Sequence, residues 1–138
     1  MTEKATSKRS VFSLPAEIEQ VATQIVDAAY CVHTALGPGL LESVYEACLS
    51  YELEQRNLEV KKQVALPVVY GKMTIEGGLR LDLLVEDCVV VELKTVEVVL
   101  PIHKAQLLTY LKMSKKRLGL LINFNALRIK YGITRMAL

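Results

Sequence analysis

The sequence predicts an α/β protein in which helices flank a mixed β-sheet. Three observations support this prediction. Two stretches with helical spacing of apolar residues come first, a run rich in β-branched residues follows, and one further helical stretch precedes a last pair of apolar segments. A chain of 138 residues can bury one core without metals or disulfides, so we expect a single domain.

Composition narrows the class of protein. Hydrophobic residues make up 51% of the chain, charged residues 23%, and the net charge is +2. This charge does not itself indicate nucleic-acid binding, although phosphate contacts need only a local basic patch. The three cysteines lie far apart and fit neither a disulfide framework nor a zinc cage. We expect a cytoplasmic protein with no membrane partner, and the apolar content leaves a homodimer open.

The first helix is expected behind a polar leader. Residues 1–12 are predicted to be disordered, so the domain would span residues 13–138. Ser13 is the expected N-cap, with Pro15 just inside the first turn. Apolar residues then recur at helical spacing until the Gly37-Pro38-Gly39 sequence ends the helix.

The second helix and the first strands follow. The helix is expected from about Leu41 to Arg56, with Asn57 as its C-terminal cap. Residues 58–70 are β-branched and partly alternating, which predicts a strand. A short second strand is expected over residues 73–75, ahead of Gly77-Gly78. The chain therefore changes from helix to sheet at about residue 58.

Two strong strands are predicted next, over residues 79–85 and 88–96. The Glu86-Asp87 pair between them favours a hairpin. The remaining predicted elements are a helix over residues 101–114, a buried strand over 117–123 and a weaker strand over 127–135.

The strand over residues 88–96 contains charges where they are costly. Its side chains alternate, so Glu92 and Lys94 share one face. Both faces are largely apolar, which indicates an interior strand, where burying an unpaired ion costs several kcal/mol. One interpretation is a structural ion pair between Glu92 and Lys94. The other is that the sheet opens into a cleft here and both groups face a ligand.

Asp82 supplies a second carboxylate on the neighbouring strand. Two carboxylates on one face repel each other unless a cation lies between them, and oxygen ligands suit Mg²⁺ or Mn²⁺. A two-residue turn would set Asp82 opposite Val91, on the wrong face for Glu92. A three-residue connection, Glu86 to Cys88, would set Asp82 opposite Glu92. A metal site therefore requires either this longer connection, with an odd number of residues, or a β-bulge in the hairpin.

These residues resemble a known family. The hairpin Asp82…Glu92-Leu93-Lys94 resembles the core of the PD-(D/E)XK nuclease superfamily. Residues 39–45, Gly-Leu-Leu-Glu-Ser-Val-Tyr, resemble the signature of the bacterial family named GxxExxY. Further segments similar to that family are residues 81–86, 106–111 and 120–124. The resemblance implies a restriction-endonuclease-like fold with an αβββαβ core, although the superfamily proline before the first Asp is replaced by Leu81.

The resemblance also implies roles for single residues. Asp82 and Glu92 would bind Mg²⁺ or Mn²⁺ together with the backbone carbonyl of Leu93. Lys94 would orient the hydrolytic water and stabilise the pentavalent phosphate. Glu42 would support the metal site through water, whereas its position alone fits an ordinary first-turn helix acid.

The third helix adds candidate contacts. Gln106 and Tyr110 match a Gln-x-x-x-Tyr element that helps to position Lys94 or the DNA backbone, and they lie four residues apart on one helix face. Lys104 and the Lys115-Lys116 pair belong to the densest basic cluster. They would touch phosphates beside the cleft, or they form an ordinary solvated surface.

The sequence therefore predicts a divalent-metal-dependent nuclease that hydrolyses phosphodiester bonds, in DNA, by direct attack of water. Two alternatives stay open. One is a nuclease-fold module that binds nucleic acid or a protein partner without cutting. The other is a structural dimerisation domain whose buried charges pair internally. The intact set of charged residues favours the enzyme.

Overall fold

The computed structural model describes residues 14–138. The predicted leader and the predicted cap Ser13 lie outside the described residues. The elements in chain order are α1 (Ala16–Leu36), α2 (Glu42–Gln55), β1 (Val60–Tyr70), β2 (Met73–Val85), β3 (Val89–Lys94), α3 (Pro101–Ser114), β4 (Leu118–Asn123), a 3₁₀ turn (Ile129–Tyr131) and β5 (Ile133–Ala137).

The five strands form one mixed sheet in the order β1-β2-β3-β4-β5. Neighbouring strands are antiparallel except β3 and β4, which are parallel. Parallel neighbours need a crossover connection, and α3 provides it. The predicted α/β class with a mixed sheet flanked by helices is confirmed.

Each face of the sheet has its own hydrophobic core. The core under α1 and α2 includes Ile25, Tyr45, Leu49, Val91 and Ile122. The core under α3 includes Val90, Leu107, Leu111 and Leu121. Alternate residues of β3 thus enter opposite cores, as expected for an interior strand. Within residues 14–138, no helix is both long enough and apolar enough to cross a membrane.

Two separate strands were predicted over the residues of β2, and this prediction is wrong. Met73–Val85 is one continuous strand. Its pairing with β1 shifts between the pairs Leu66–Leu79 and Val68–Ile75, and Gly77 has a φ of 64° in the shifted segment. Gly77-Gly78 therefore forms an irregularity within the strand, because glycine adopts positive φ at little steric cost.

The last predicted strand also begins later than expected. Residues 129–131 form a 3₁₀ turn, and β5 starts only at Ile133. Gly132 closes this turn, since its amide donates to the carbonyl of Ile129 at 2.7 Å. A Cβ at Gly132 would lie 2.4 Å from the carbonyl oxygen of Asn123, so the close approach requires glycine.

The β1–β2 hairpin extends beyond the rest of the sheet. β2 pairs with β3 only over Leu83–Val85, although it pairs with β1 along most of its length. The remainder forms a two-stranded arm. Large apolar side chains are exposed near the tip of this arm: Val69, Tyr70, Met73 and Ile75.

Truncation of Leu107 should show how strongly α3 is held to the sheet. Leu107 is fully buried, whereas Ile102 on the same helix is 66% exposed. We expect Leu107→Ala to lower the free energy of unfolding by about 2–5 kcal/mol, because it leaves a cavity. Ile102→Ala should change it by less than about 0.5 kcal/mol. Urea denaturation measures both, and equal losses would contradict packing through the Leu107 face.

Candidate functional site

The β2–β3 hairpin decides which residues face each other. Its register pairs Leu83 with Val91, and three residues, Glu86 to Cys88, connect the two strands. Continued by one step, this register sets Asp82 opposite Glu92. The longer connection that a metal site requires is therefore the one that forms.

The turn itself explains this register. Glu86 and Asp87 have φ values of 51° and 55°, and the amide of Cys88 donates to the carbonyl of Val85 at 3.0 Å. Two successive positive φ values are typical of the tight turns that suit twisted hairpins. Cys88 is the additional residue, and it changes which face of β3 lies beside Asp82.

The two facing carboxylates replace the regular ladder at this point. The amide of Leu93 donates to Oδ2 of Asp82 at 2.9 Å, and the amide of Asp82 donates to Oε2 of Glu92 at 3.0 Å. Each carboxylate therefore accepts a backbone hydrogen bond from the opposite strand. This exchange uses one oxygen of each carboxylate and keeps both side chains between the strands.

Burial and mutual repulsion shape the electrostatics of the site. Glu92 is only 5% exposed. Burial, and after it the negative charge of Asp82, raise the pKa of Glu92 to about 8. Glu92 therefore holds a proton at neutral pH when no cation is near. A bound divalent cation would favour the ionised form instead.

Glu42 lies at the same site and is the first residue of α2. Burial raises the pKa of Glu42, the charge of Asp82 adds to the rise, and Lys94 opposes it. The structure thus brings Glu42, Asp82, Glu92 and Lys94 together. All four are among the residues that the sequence selected as candidates for the site.

Tyr45 fixes the turn that precedes Glu42 and the start of α2. Its hydroxyl donates to the carbonyl of Gly37 and accepts from the amide of Leu40 at 3.1 Å. Its fully buried ring stacks on Phe124, with ring centroids 4.7 Å apart. Tyr45 therefore anchors the start of α2 to the sheet.

Lys94 makes no ion pair within the described part of the chain. The ion pairs among residues 14–138 involve Arg56, Lys116 and Arg135 instead. The predicted alternative, a structural ion pair between Glu92 and Lys94, does not form. Lys94 is a partly exposed residue, and its positive charge opposes the rise in the pKa of both Glu42 and Glu92, so it lies near these two carboxyl groups.

Gln106 and Tyr110 reach the site from α3. The amide nitrogen of Gln106 donates to the hydroxyl of Tyr110 at 3.0 Å. Burial raises the pKa of Tyr110, and the charges of Glu92 and Asp82 raise it further, which places this hydroxyl near both carboxylates. Between residues 14 and 138, Gln106 has no side-chain hydrogen bond to Lys94, so the structure links it to the site through Tyr110.

The predicted phosphate contacts divide into two groups. Lys104 is exposed on the helix that carries Gln106. Lys116 instead pairs with Asp87 at 3.3 Å, at the opposite end of β3 and roughly 16 Å along the strand from Glu92. Lys115 ends α3 with a φ of 60°. The structure does not bring Lys115 and Lys116 to the cleft.

Two further polar residues lie at the site, and the sequence interpretation missed both. The amide nitrogen of Gln63 donates to Oε1 of Glu46 at 2.7 Å and to Oδ1 of Asp82 at 3.4 Å. Glu46 lies one helical turn after Glu42, and this spacing could have identified it. Gln63 carries no comparable signal, because it stands among lysines on a strand.

The oxygen atoms at the site fit a magnesium-like ion. The N–H and C=O of one strand residue point to the same edge, so the carbonyl of Leu93 points towards Asp82 as its amide does. Mg²⁺ commonly takes one or two carboxylates and keeps several waters. Among the described residues, no three Asp, Glu, His or Cys side chains form a metal cage. Asp82, Glu92 and the Leu93 carbonyl are the oxygen donors of this site that could hold such an ion.

The raised pKa of Glu92 predicts an unusual pH dependence of stability. Between its ordinary pKa of 4.5 and about 8, folded Glu92 binds a proton that the unfolded chain has lost. The free energy of unfolding in a chelator should therefore fall as pH rises through this window, by up to about 1.4 kcal/mol per pH unit. This contribution is fully present below pH 4.5.

Urea denaturation from pH 5 to 8.5 measures this slope. Glu92→Gln should remove it, because the amide does not titrate, while Glu54→Gln at an exposed position of α2 should keep it. Equal slopes in the wild type and Glu92→Gln would contradict the assignment.

Removal of one hydroxyl should test the anchoring of α2. Tyr45→Phe keeps the ring but leaves the carbonyl of Gly37 and the amide of Leu40 without this partner. We expect a loss of about 1–3 kcal/mol in the free energy of unfolding. Tyr51→Phe is the matched control, because Tyr51 lies on the same helix and is 62% exposed. Chemical denaturation should show no change for the control; an unchanged Tyr45→Phe would rule out this anchoring role.

A comparison with known proteins bears on the fold and the family of this chain. A family model described as the PD-(D/E)XK nuclease superfamily matches residues 19–136. No curated protein and no solved structure shows significant similarity to the chain. The match covers every described element that forms the site, and the mixed sheet between helices is the restriction-endonuclease-like fold that was expected. The chain belongs to the PD-(D/E)XK nuclease superfamily.

Proposed function

We propose that the protein is a divalent-metal-dependent nuclease that hydrolyses phosphodiester bonds in DNA by direct attack of water. One observation carries this proposal: Asp82 faces Glu92 across the hairpin, and Lys94 lies two residues after Glu92 and forms no ion pair with an acidic residue among residues 14–138. A purely structural role would favour an ion pair for Glu92, whereas here Glu92 is buried beside a second carboxylate, which is unfavourable for the ionised form unless a cation is bound.

Some residues of the site would bind the cation, and others would act on the water and the phosphate. Asp82, Glu92 and the carbonyl of Leu93 would hold the cation, and Glu42 would bind it through water. When bound, a divalent cation neutralises charge on the phosphate and makes water more acidic. The two backbone hydrogen bonds to the carboxylates hold them in place before any ligand arrives, which reduces the reorganisation needed for catalysis.

Lys94 and Tyr110 are side-chain hydrogen-bond donors close enough to the carboxylates for their charges to interact. The ammonium of Lys94 would orient the attacking water and stabilise negative charge that develops on the phosphate. The raised pKa of Tyr110 keeps its hydroxyl protonated, so it can donate to a phosphate oxygen. Gln106 would fix the direction of that hydroxyl through its hydrogen bond.

Finer features of the proposal rest on the sequence. The segment over residues 39–45 supports membership of the GxxExxY family. The all-oxygen donor set supports Mg²⁺ or Mn²⁺. We also propose a cytoplasmic location, which the three free cysteines support. The exposed apolar side chains of the arm are compatible with a homodimer.

Cleavage assays test the proposal. Single-stranded, double-stranded and branched DNA should be incubated with the protein in Mg²⁺ or Mn²⁺. We expect Glu92→Gln and Lys94→Ala each to lower the cleavage rate by about 100-fold or more. Glu54→Gln and Lys130→Ala remove one charge of the same sign at exposed positions and should cleave normally. Cleavage that is unchanged by either site variant would exclude these roles.

The non-catalytic alternative predicts a different pattern. A binding module would retain DNA in a chelator, would cut no substrate with either ion, and would bind DNA equally well after Lys94→Ala. Binding assays on the same DNA molecules therefore distinguish a nuclease from a module that only binds.

A further inference from the structure

Gln63 has a backbone conformation that is rare for its residue type. It lies on β1 between the pairs Lys62–Leu83 and Val64–Leu81, which sets it opposite Asp82. Its φ is 51°, in the left-handed region that side chains with a Cβ seldom adopt. Such strain persists where surrounding interactions require it, and it concentrates at functional sites.

At this position, the side chains of β2 change the face of the sheet on which they pack. Residues two apart on a strand ordinarily share one face. Leu81 nevertheless packs in the core under α3, whereas Leu83 packs in the core under α1 and α2. The change of face occurs at Asp82 and its neighbour Gln63. The backbone of Gln63 therefore belongs to the bend that carries Asp82 into the cleft between the two cores.

The side chain of Gln63 joins two acidic residues. One amide nitrogen has two hydrogens, and here they reach Oε1 of Glu46 and Oδ1 of Asp82. The other oxygen of Asp82 accepts from the amide of Leu93. Both oxygens of Asp82 are thus contacted, which limits rotation of the carboxylate. Glu46 is drawn to the site from α2 by the same amide.

We propose that Gln63 is a positioning residue of the nuclease site: its amide orients the carboxylate of Asp82 and holds Glu46 beside it. This inference rests on the proposed function, because it assigns Gln63 to the binding of the divalent cation. Gln63 itself does not contact the cation or the substrate. It acts through Asp82, which would bind the cation and which accepts a hydrogen bond from the same amide as Glu46.

Gln63→Gly separates the two contributions of this residue. Glycine adopts positive φ without strain, so the bend is kept while the amide is lost. We expect the affinity for Mn²⁺, measured by titration calorimetry, to fall about 10-fold, in the range seen when a residue that orients a metal ligand is removed. The midpoint of thermal unfolding in a chelator should be unchanged or higher. Asn57→Gly is the matched control, because Asn57 has a φ of 63° away from the site.

A double-mutant cycle tests the link to Glu46. If Gln63 acts together with Glu46, Gln63→Gly combined with Glu46→Ala should weaken Mn²⁺ binding by less than the product of the two single effects. Independent, multiplicative losses would overturn the coupling.

The outcomes separate this inference from the proposed function. Wild-type affinity in Gln63→Gly, with Mn²⁺ bound tightly by the wild type, would overturn the role of Gln63 alone. A wild-type protein that binds no Mn²⁺ would overturn both. A lower unfolding midpoint with unchanged affinity would make Gln63 a purely structural residue.

Discussion

The reciprocal hydrogen bonds between Asp82 and the β3 strand are the interaction on which the site depends. An acidic residue in the middle of an apolar sheet is costly to bury. Here, the amide of Leu93 contacts Asp82, while the amide of Asp82 contacts Glu92. These hydrogen bonds satisfy backbone donors where the regular ladder ends. They also hold two mutually repulsive carboxylates side by side, and burial, followed by the charge of Asp82, raises the pKa of Glu92 to about 8.

Helices on both faces of the sheet contribute side chains to the cleft. Helix α2 contributes Glu42 and Glu46, and the opposite helix contributes Tyr110. This is feasible because β2 changes face at Asp82, between leucines that belong to different cores. The packing that stabilises each helix on the sheet therefore also sets the distance between the acidic residues and the hydroxyl. Stability of the fold and geometry of the site are coupled through the same few elements.

Much of this arrangement could be predicted from the sequence, for identifiable reasons. Alternation along β3 placed Glu92 and Lys94 on one face, and the bounds predicted for α3 match the structure. Other features depend on contacts between distant residues. The continuity of β2 through Gly77 depends on pairing with β1, and the ion pair that holds Lys116 away from the cleft depends on the hairpin turn. The left-handed backbone of Gln63 could not be predicted from the residues around it, because glutamine and its neighbours on β1 usually adopt regular strand geometry.

The three-residue turn at Glu86 to Cys88 also constrains how related sequences can differ in length. The side chains of a strand alternate with a period of two. If the turn keeps three residues, one residue added to this segment would set Val91 opposite Asp82 and one residue lost would set Leu93 there, so Glu92 would no longer face Asp82. The turn at Gly71-Lys72, at the tip of the arm, lies outside the β2–β3 register. Gaps in an alignment of relatives are therefore physically acceptable at the arm tip, whereas a single-residue gap between β2 and β3 would separate Asp82 from Glu92 unless the turn itself changed its length.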